Sequence, residues 1–217
     1  MVKSSSFMQV CKLILRSSTV INHIQGICKD EPAAVVAYWY FTFTDGEKQN
    51  VHNMLCSLIR DIASNRLNTP SELQDAYEMA NYGLQRPTIE ALTEMLKAVI
   101  HDFSAVYIVV DAVDECPRFD GERAKALKLL KDIFSWQLDQ LHVFVTSRRE
   151  VDILDTFDDF PRRHLQVIDA QGTQWNRDIE LFITRRLQDS KFKTWNSDMR
   201  AEVKSKLGSR AHGMSVS

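Results

Sequence analysis

The chain has 217 residues, 44% of them hydrophobic and 26% charged, with Lys+Arg 27 against Asp+Glu 29 and a formal net charge of −2. That balance is the one expected of a globular domain, and it supplies no global electrostatic pull toward nucleic acid or a membrane surface. The longest apolar run, residues 33–41, is far short of the ~20 residues a membrane span needs, and residues 1–11 lack the apolar core and cleavage site of a secretory signal.

Glycine is scarce: there are 7, about half the usual share of roughly 7%, and the first is Gly26. The opening stretch is basic and Ser-rich, a composition that also suits a mitochondrial transit peptide, but it runs unbroken into an amphipathic segment that reads as part of the fold. Residues 35–43 (VVAYWYFTF) are β-branched and aromatic and predict a strand. Thr44-Asp45-Gly46-Glu47 then reads as a capping box for a helix with Val51, Met54, Leu55, Leu58, Ile59 and Ile62 on one face. Thr69-Pro70-Ser71-Glu72 opens a second helix carrying Leu73, Ala76, Tyr77 and Ala80. A third follows Pro87-Thr88, with Ile89, Leu92, Leu96, Val99 and Ile100 inward.

The second half alternates more regularly. Residues 105–110 (AVYIVV) predict a strand buried on both faces, as in a parallel sheet, and a helix with Leu127, Leu130, Ile133, Phe134 and Leu138 follows. Residues 141–145 (LHVFV) are another buried strand, residues 151–157 a short helix, residues 164–168 (HLQVI) a further strand. Two C-terminal helices complete the chain, one with Trp175, Ile179, Phe182, Ile183 and Leu187, the other with Val203, Leu207 and Ala211. Alternation of this kind predicts an α/β three-layer sandwich around a mostly parallel sheet. The four scattered cysteines, Cys11, Cys28, Cys56 and Cys116, read as reduced core residues, the six histidines form no metal-ligand pattern, and the tryptophans read as packing residues.

Ligands of parallel sheets bind beyond the carboxyl ends of the strands, so chemistry is sought there. Asp111, Asp114 and Glu115 follow the first buried run directly. Three carboxylates so close repel one another unless a cation or water network compensates, and a hydrated Mg²⁺ at Asp111 with a neighbouring carboxylate to orient water would do so. The second buried run ends in Thr146, Ser147 and Arg148, which bring hydroxyls and a guanidinium able to stabilise a terminal phosphate. Arg149 is expected to face solvent, and Asp152, Asp155, Asp158 and Asp159 to form a solvated face.

The run of Asp111-Ala112-Val113-Asp114-Glu115-Cys116 after a hydrophobic strand, followed by a helix and a strand ending Thr146-Ser147-Arg148, resembles the NACHT family of STAND P-loop NTPases. More narrowly it is similar to the nephrocystin-3-like N-terminal domains abundant in fungi, and the aromatic strand and Arg210-Ala211-His212-Gly213-Met214 fit the same pattern. The resemblance runs from about Ser17 to Met214 and implies a sheet of the ASCE/STAND P-loop type. It implies Asp111 as the Walker B residue holding Mg²⁺, Glu115 with Asp114 as water-activating candidates, Arg148 as sensor, and Lys12 and Thr146 as nucleotide contacts. ATP or GTP with Mg²⁺ is the implied cofactor. Protein partners or self-association, with no nucleic acid, no membrane and a cytoplasmic location, complete the expectation.

One part of that pattern is missing. A P-loop reads G-x-x-x-x-G-K-[ST] because only glycine lets successive backbone N–H groups wrap a phosphate. Here residues 7–15 read FMQVCKLIL, with Lys12 near the expected lysine and Leu13 in place of the Mg²⁺-binding hydroxyl. The first strand and P-loop are therefore expected to be absent or replaced. Residues 1–16 would form an atypical segment that fills the place of a strand beside the Walker B strand, and residues 17–217 a NACHT-like core cut short before the winged-helix region of a larger STAND protein. The expected function is a nucleotide switch with impaired binding and hydrolysis; an active Mg²⁺-dependent NTPase and a non-catalytic interaction module are the alternatives.

Overall fold

The computed structural model describes residues 7–12, 17–66, 85–158, 160, 165–169, 183–189, 192 and 195–213, with single positions at 74 and 78. In chain order the elements are β1 (Phe7–Lys12), α1 (Ser17–Asp30), β2 (Ala34–Tyr40), α2 (Val51–Ala63), α3 (Ile89–Ile100), β3 (Ala105–Asp111), α4 (Glu122–Ser135), β4 (Leu141–Thr146), α5 (Val151–Asp158), β5 (Leu165–Asp169) and α6 (Ser197–Gly213). The chain divides into two compact units, residues 1–168 and 169–217.

The first unit is built on a sheet of order β2-β3-β4-β1-β5. Pairs β2–β3, β3–β4 and β4–β1 are all parallel. Register follows the apolar runs: Val35, Ala37 and Trp39 lie opposite Val106, Ile108 and Val110, and those opposite Leu141, Val143 and Val145. With a side-chain period of two, all nine project to one face, where they join the core. That face is covered by α2, α3 and α4 through Met54, Leu55, Leu58, Ile62, Leu96, Val99, Leu130 and Ile133, each 1% exposed or less. Burying one such aliphatic side chain contributes about 1.5–3 kcal/mol, which is why these helices form where they do.

The opposite face carries Tyr107 stacked on His142, ring centroids 5.0 Å apart, and α1 packs there on β2 and β3. Helices on both faces of the parallel sheet make the three-layer α/β sandwich expected from the alternation. In the second unit α6 is the main described element, and Ile183 and Leu187 are buried.

Several local expectations are corrected. The strand before the candidate loop is formed, as β1, but β4 separates it from β3, so it does not adjoin the strand that ends in Asp111. Residues 7–12 thus fill an interior place of the sheet between β4 and β5. The aromatic strand stops at Tyr40, not at residue 43. Thr44 caps no helix: Asp45 accepts a hydrogen bond from Glu47 N to start a short 3₁₀ turn, Gly46–Gln49, and the cap of α2 is Asn50, whose Oδ1 accepts from Asn53 N at 3.1 Å. Asn50, immediately before the apolar stripe, wins because it meets the first free N–H groups of the helix. Leu138 lies beyond the end of α4. Cys116 is buried, but Cys28 is half-buried, like the rest of the inner stripe of α1, and Cys56 is exposed because it falls off the apolar stripe of α2. The helix expected after residue 69 and most of that around residues 175–187 lie outside the described residues.

Candidate functional site

Since the parallel strands run in register, their carboxyl ends emerge at one level. Tyr40 is opposite Asp111, Val110 opposite Val145, and Cys11 opposite Thr146. This places Asp111, Thr146 and the end of β1, Lys12, on the same sheet edge, where parallel sheets carry their ligands. The sequence-derived candidates are therefore brought to one end of the fold, from three strands.

At that end the chain turns sharply. Ala112 adopts φ 55°, ψ 51°, the left-handed region, which costs a residue with a Cβ about 1–2 kcal/mol. Two contacts hold it there. Ala112 N donates to Thr146 Oγ1 at 2.9 Å, and Thr146 Oγ1 donates to Asp111 Oδ1. Thr146 is 3% exposed, so this hydroxyl joins the ends of β3 and β4 from inside the protein. A 3₁₀ turn over Val113–Glu115 follows.

The two other carboxylates are engaged as well. Asp114 Oδ1 accepts from Arg148 N at 2.9 Å, and its Oδ2 lies 3.3 Å from Arg148 Nε. The Asp114 side chain is 7% exposed and that of Arg148 78%, so the pair has a buried anion and an open cation. Glu115 Oε2 accepts from Phe43 N at 3.3 Å, which ties the turn to the segment after β2. Among the described residues, no group of three or more His, Cys, Asp or Glu side chains converges as it would around a metal ion.

Below the turn lies a residue that the motifs did not single out. Arg123, in the first turn of α4, is 7% exposed. Its Nε donates to Cys116 O at 2.8 Å, one Nη donates to Asp114 O, and the other lies 3.2 Å from Glu150 Oε2 and 3.5 Å from Asp152 Oδ2. Arg118 pairs with the same two carboxylates. Asp152 is thus part of an ion-pair network and not of a solvated face. A signal for Arg123 was present in the sequence: it lies three, four and seven residues before Ala126, Leu127 and Leu130, a charge on an apolar helical stripe. Cys116 is fully buried beside it, and burial, with Glu122 adding, pushes its thiol up to about 12, against the opposing pull of Arg123.

The phosphate-gripping half of a nucleotide site is harder to find in the sequence. β1 ends at Lys12 and α1 begins at Ser17, leaving only residues 13–16, Leu-Ile-Leu-Arg, between them. That interval holds no glycine, and the first glycine, Gly26, lies inside α1. The residues present therefore do not fit the usual cradle of a Mg²⁺-nucleotide. Among the described residues no helix is long and apolar enough to cross a membrane.

The family model described as Nephrocystin 3, N-terminal, matches residues 12–148, from the end of β1 to Arg148. Among solved structures, the Aeropyrum pernix Orc1 protein in complex with DNA is similar with a TM-score of 0.45 and 12% identity; the match covers 83% of this chain and 44% of that one. No curated protein matches the chain.

Proposed function

The chain belongs to the nephrocystin 3 N-terminal family, and from that premise we propose that it is a NACHT-like nucleotide-switch domain of a STAND signalling or scaffold protein, with impaired nucleotide binding and hydrolysis. The observation that carries this reading is the interval between β1 and α1. The sheet keeps a strand in the interior position, yet residues 13–16 contain none of the glycines that let backbone N–H groups surround a phosphate. Lys12 stands at the end of β1, and the four residues after it contain no glycine.

The remaining candidates support the same reading. If Asp111 is to hold a hydrated cation, it must do so while accepting a hydrogen bond from Thr146. If Asp114 is to activate water, it must first give up Arg148, and an ion pair with a buried carboxylate resists that. Glu115 is the more accessible base, and Arg148, exposed although paired with Asp114, is the guanidinium that could meet a terminal phosphate. In the absence of turnover, the domain serves protein partners or self-association, in the cytoplasm. The formal charge of −2 gives no support to nucleic-acid binding.

Titration with labelled ATP and GTP, with and without Mg²⁺, tests the proposal. No saturable binding in the micromolar range is expected. Micromolar binding that is lost in Asp111→Ala would overturn it in favour of an active Mg²⁺-dependent NTPase. Inserting a G-x-x-x-x-G-K-S loop between Lys12 and Ser17 is the complementary experiment. Affinity that appears only with the insertion supports Asp111, Thr146 and Arg148 as the rest of a nucleotide site, and affinity that stays undetectable removes those assignments.

A further inference from the structure

We infer that Arg123 is the positioning residue of the strand-end turn, and that through it the turn carrying Asp114 and Glu115 moves as one body with the segment that leads into α5. This goes beyond the nucleotide reading and stands on geometry alone.

A guanidinium has five N–H donors in a rigid plane, and Arg123 uses that fork in two directions. On one side it donates to two backbone carbonyls of the turn, Asp114 O and Cys116 O. On the other it meets Glu150 and Asp152, at the entry to α5. The side chain is 8% exposed, so the charge is withheld from water and its partners cannot be replaced freely by solvent. A buried cation of this kind is tolerated only with its full complement of acceptors. The same two segments are tied a second time on the outer side, where Asp114 accepts from Arg148 N and pairs with Arg148 Nε. Arg118 adds an outer contact to Glu150 and Asp152.

The two ties differ in what they fix. Arg148 acts on the side chain of Asp114, whereas Arg123 acts on the backbone of the turn and so sets where both carboxylates point. A lysine in its place would keep the charge but not the plane, and could not serve two carbonyls and two carboxylates together. Residues 112–118 should therefore open when Arg123 is replaced, while the strands behind them stay closed.

Cys116 supplies the reporter, because its buried thiol sits in the turn and Cys56 provides an exposed control in the same molecule. The experiment is site-resolved thiol labelling with N-ethylmaleimide, together with amide exchange, on the whole chain and on Arg123→Met and Arg123→Lys. In Arg123→Met, labelling at Cys116 should rise about tenfold, the opening expected from losing a hydrogen-bonded charge. Cys56 labelling and the amides of β3 and β4 should not change. Arg123→Lys should resemble Arg123→Met more closely than the parent chain. Equal acceleration at turn and strands, an unchanged Cys116 rate, or full rescue by lysine would each overturn the inference. Should Arg123→Met fail to fold, the double variant Glu150→Gln, Asp152→Asn keeps the carbonyl contacts and should open the same turn about threefold, as for a partly exposed ion pair; no change there would also overturn it.

Discussion

Replacing Thr146 by valine removes one hydroxyl and keeps the shape of the side chain. That hydroxyl donates to Asp111 Oδ1 and accepts from Ala112 N, and its residue is 3% exposed. A hydrogen bond to a charged group contributes about 1.5–3 kcal/mol, and a backbone N–H left without an acceptor costs about 1–3 kcal/mol. Asp111 and Ala112 are both half-buried, so water recovers part of each loss, and the sum is not additive. The expected net destabilisation is about 2–3 kcal/mol, which for a chain of this size lowers Tm by about 4–12 °C. Urea unfolding with an unchanged m-value measures it directly. Thr146→Ser is the control: it retains the hydroxyl and loses one methyl group, so it should cost about 0.8 kcal/mol. A valine variant within about 0.5 kcal/mol of the parent would refute the reasoning, since surface changes alone fall in that range. A serine variant as unstable as valine would refute it too, because methyl packing would then be the whole effect.

Leu58 is fully buried in α2 against the sheet, so Leu58→Ala should cost about 2–5 kcal/mol in the same unfolding assay. Asn50 caps α2, and Asn50→Ala should cost about 1 kcal/mol, with the loss of helix confined to its first turn in amide exchange. Burial lowers the pKa of His142 below its ordinary value. The folded state therefore prefers the neutral ring, and the unfolded state binds the proton first. Stability is fully present above the unfolded value of about 6.5 and falls as pH drops from there toward the folded pKa. His142→Gln should flatten the stability difference between pH 7 and pH 5, measured by denaturant midpoints. An equal slope in both proteins would show that His142 contributes nothing to it.

Much of this fold was legible because its strands are nearly continuous apolar runs. Residues 105–110 and 141–145 can be satisfied only between two layers, and the stop at Asp111 and at Thr146 marks where the sheet meets water. The stripe from Val51 to Ile62 was equally plain, since six apolar residues at helical spacing have one natural use. β1 was harder to read. FMQVCK has no long apolar run, and its strand form is set by an available place between β4 and β5, not by local propensity. The capping error at Thr44 has a similar origin: three adjacent segments, Thr44, Asp45 and Asn50, offer capping side chains, and tertiary position chooses among them. Arg123 was visible only as a violation of the α4 stripe. Its partners lie at 114, 116, 150 and 152, and no spacing rule joins those positions.

The three carboxylates at the end of β3 raised a physical question: what cation compensates them. In the fold, part of the answer is supplied by the chain. Arg148 pairs with Asp114, and Arg123 sits beneath the same turn with its charge directed to the turn's carbonyls and to Glu150. A divalent ion arriving at Asp114 would have to displace a guanidinium that also has its own backbone N–H fixed to that carboxylate. Removing one partner of such a pair leaves a mostly buried charge alone, and that is costlier than forming the pair was favourable. Charge compensation from within and the short β1–α1 interval therefore act in the same direction. The first weakens the demand for a metal at Asp114, and the second contains none of the glycines with which a P-loop wraps a phosphate.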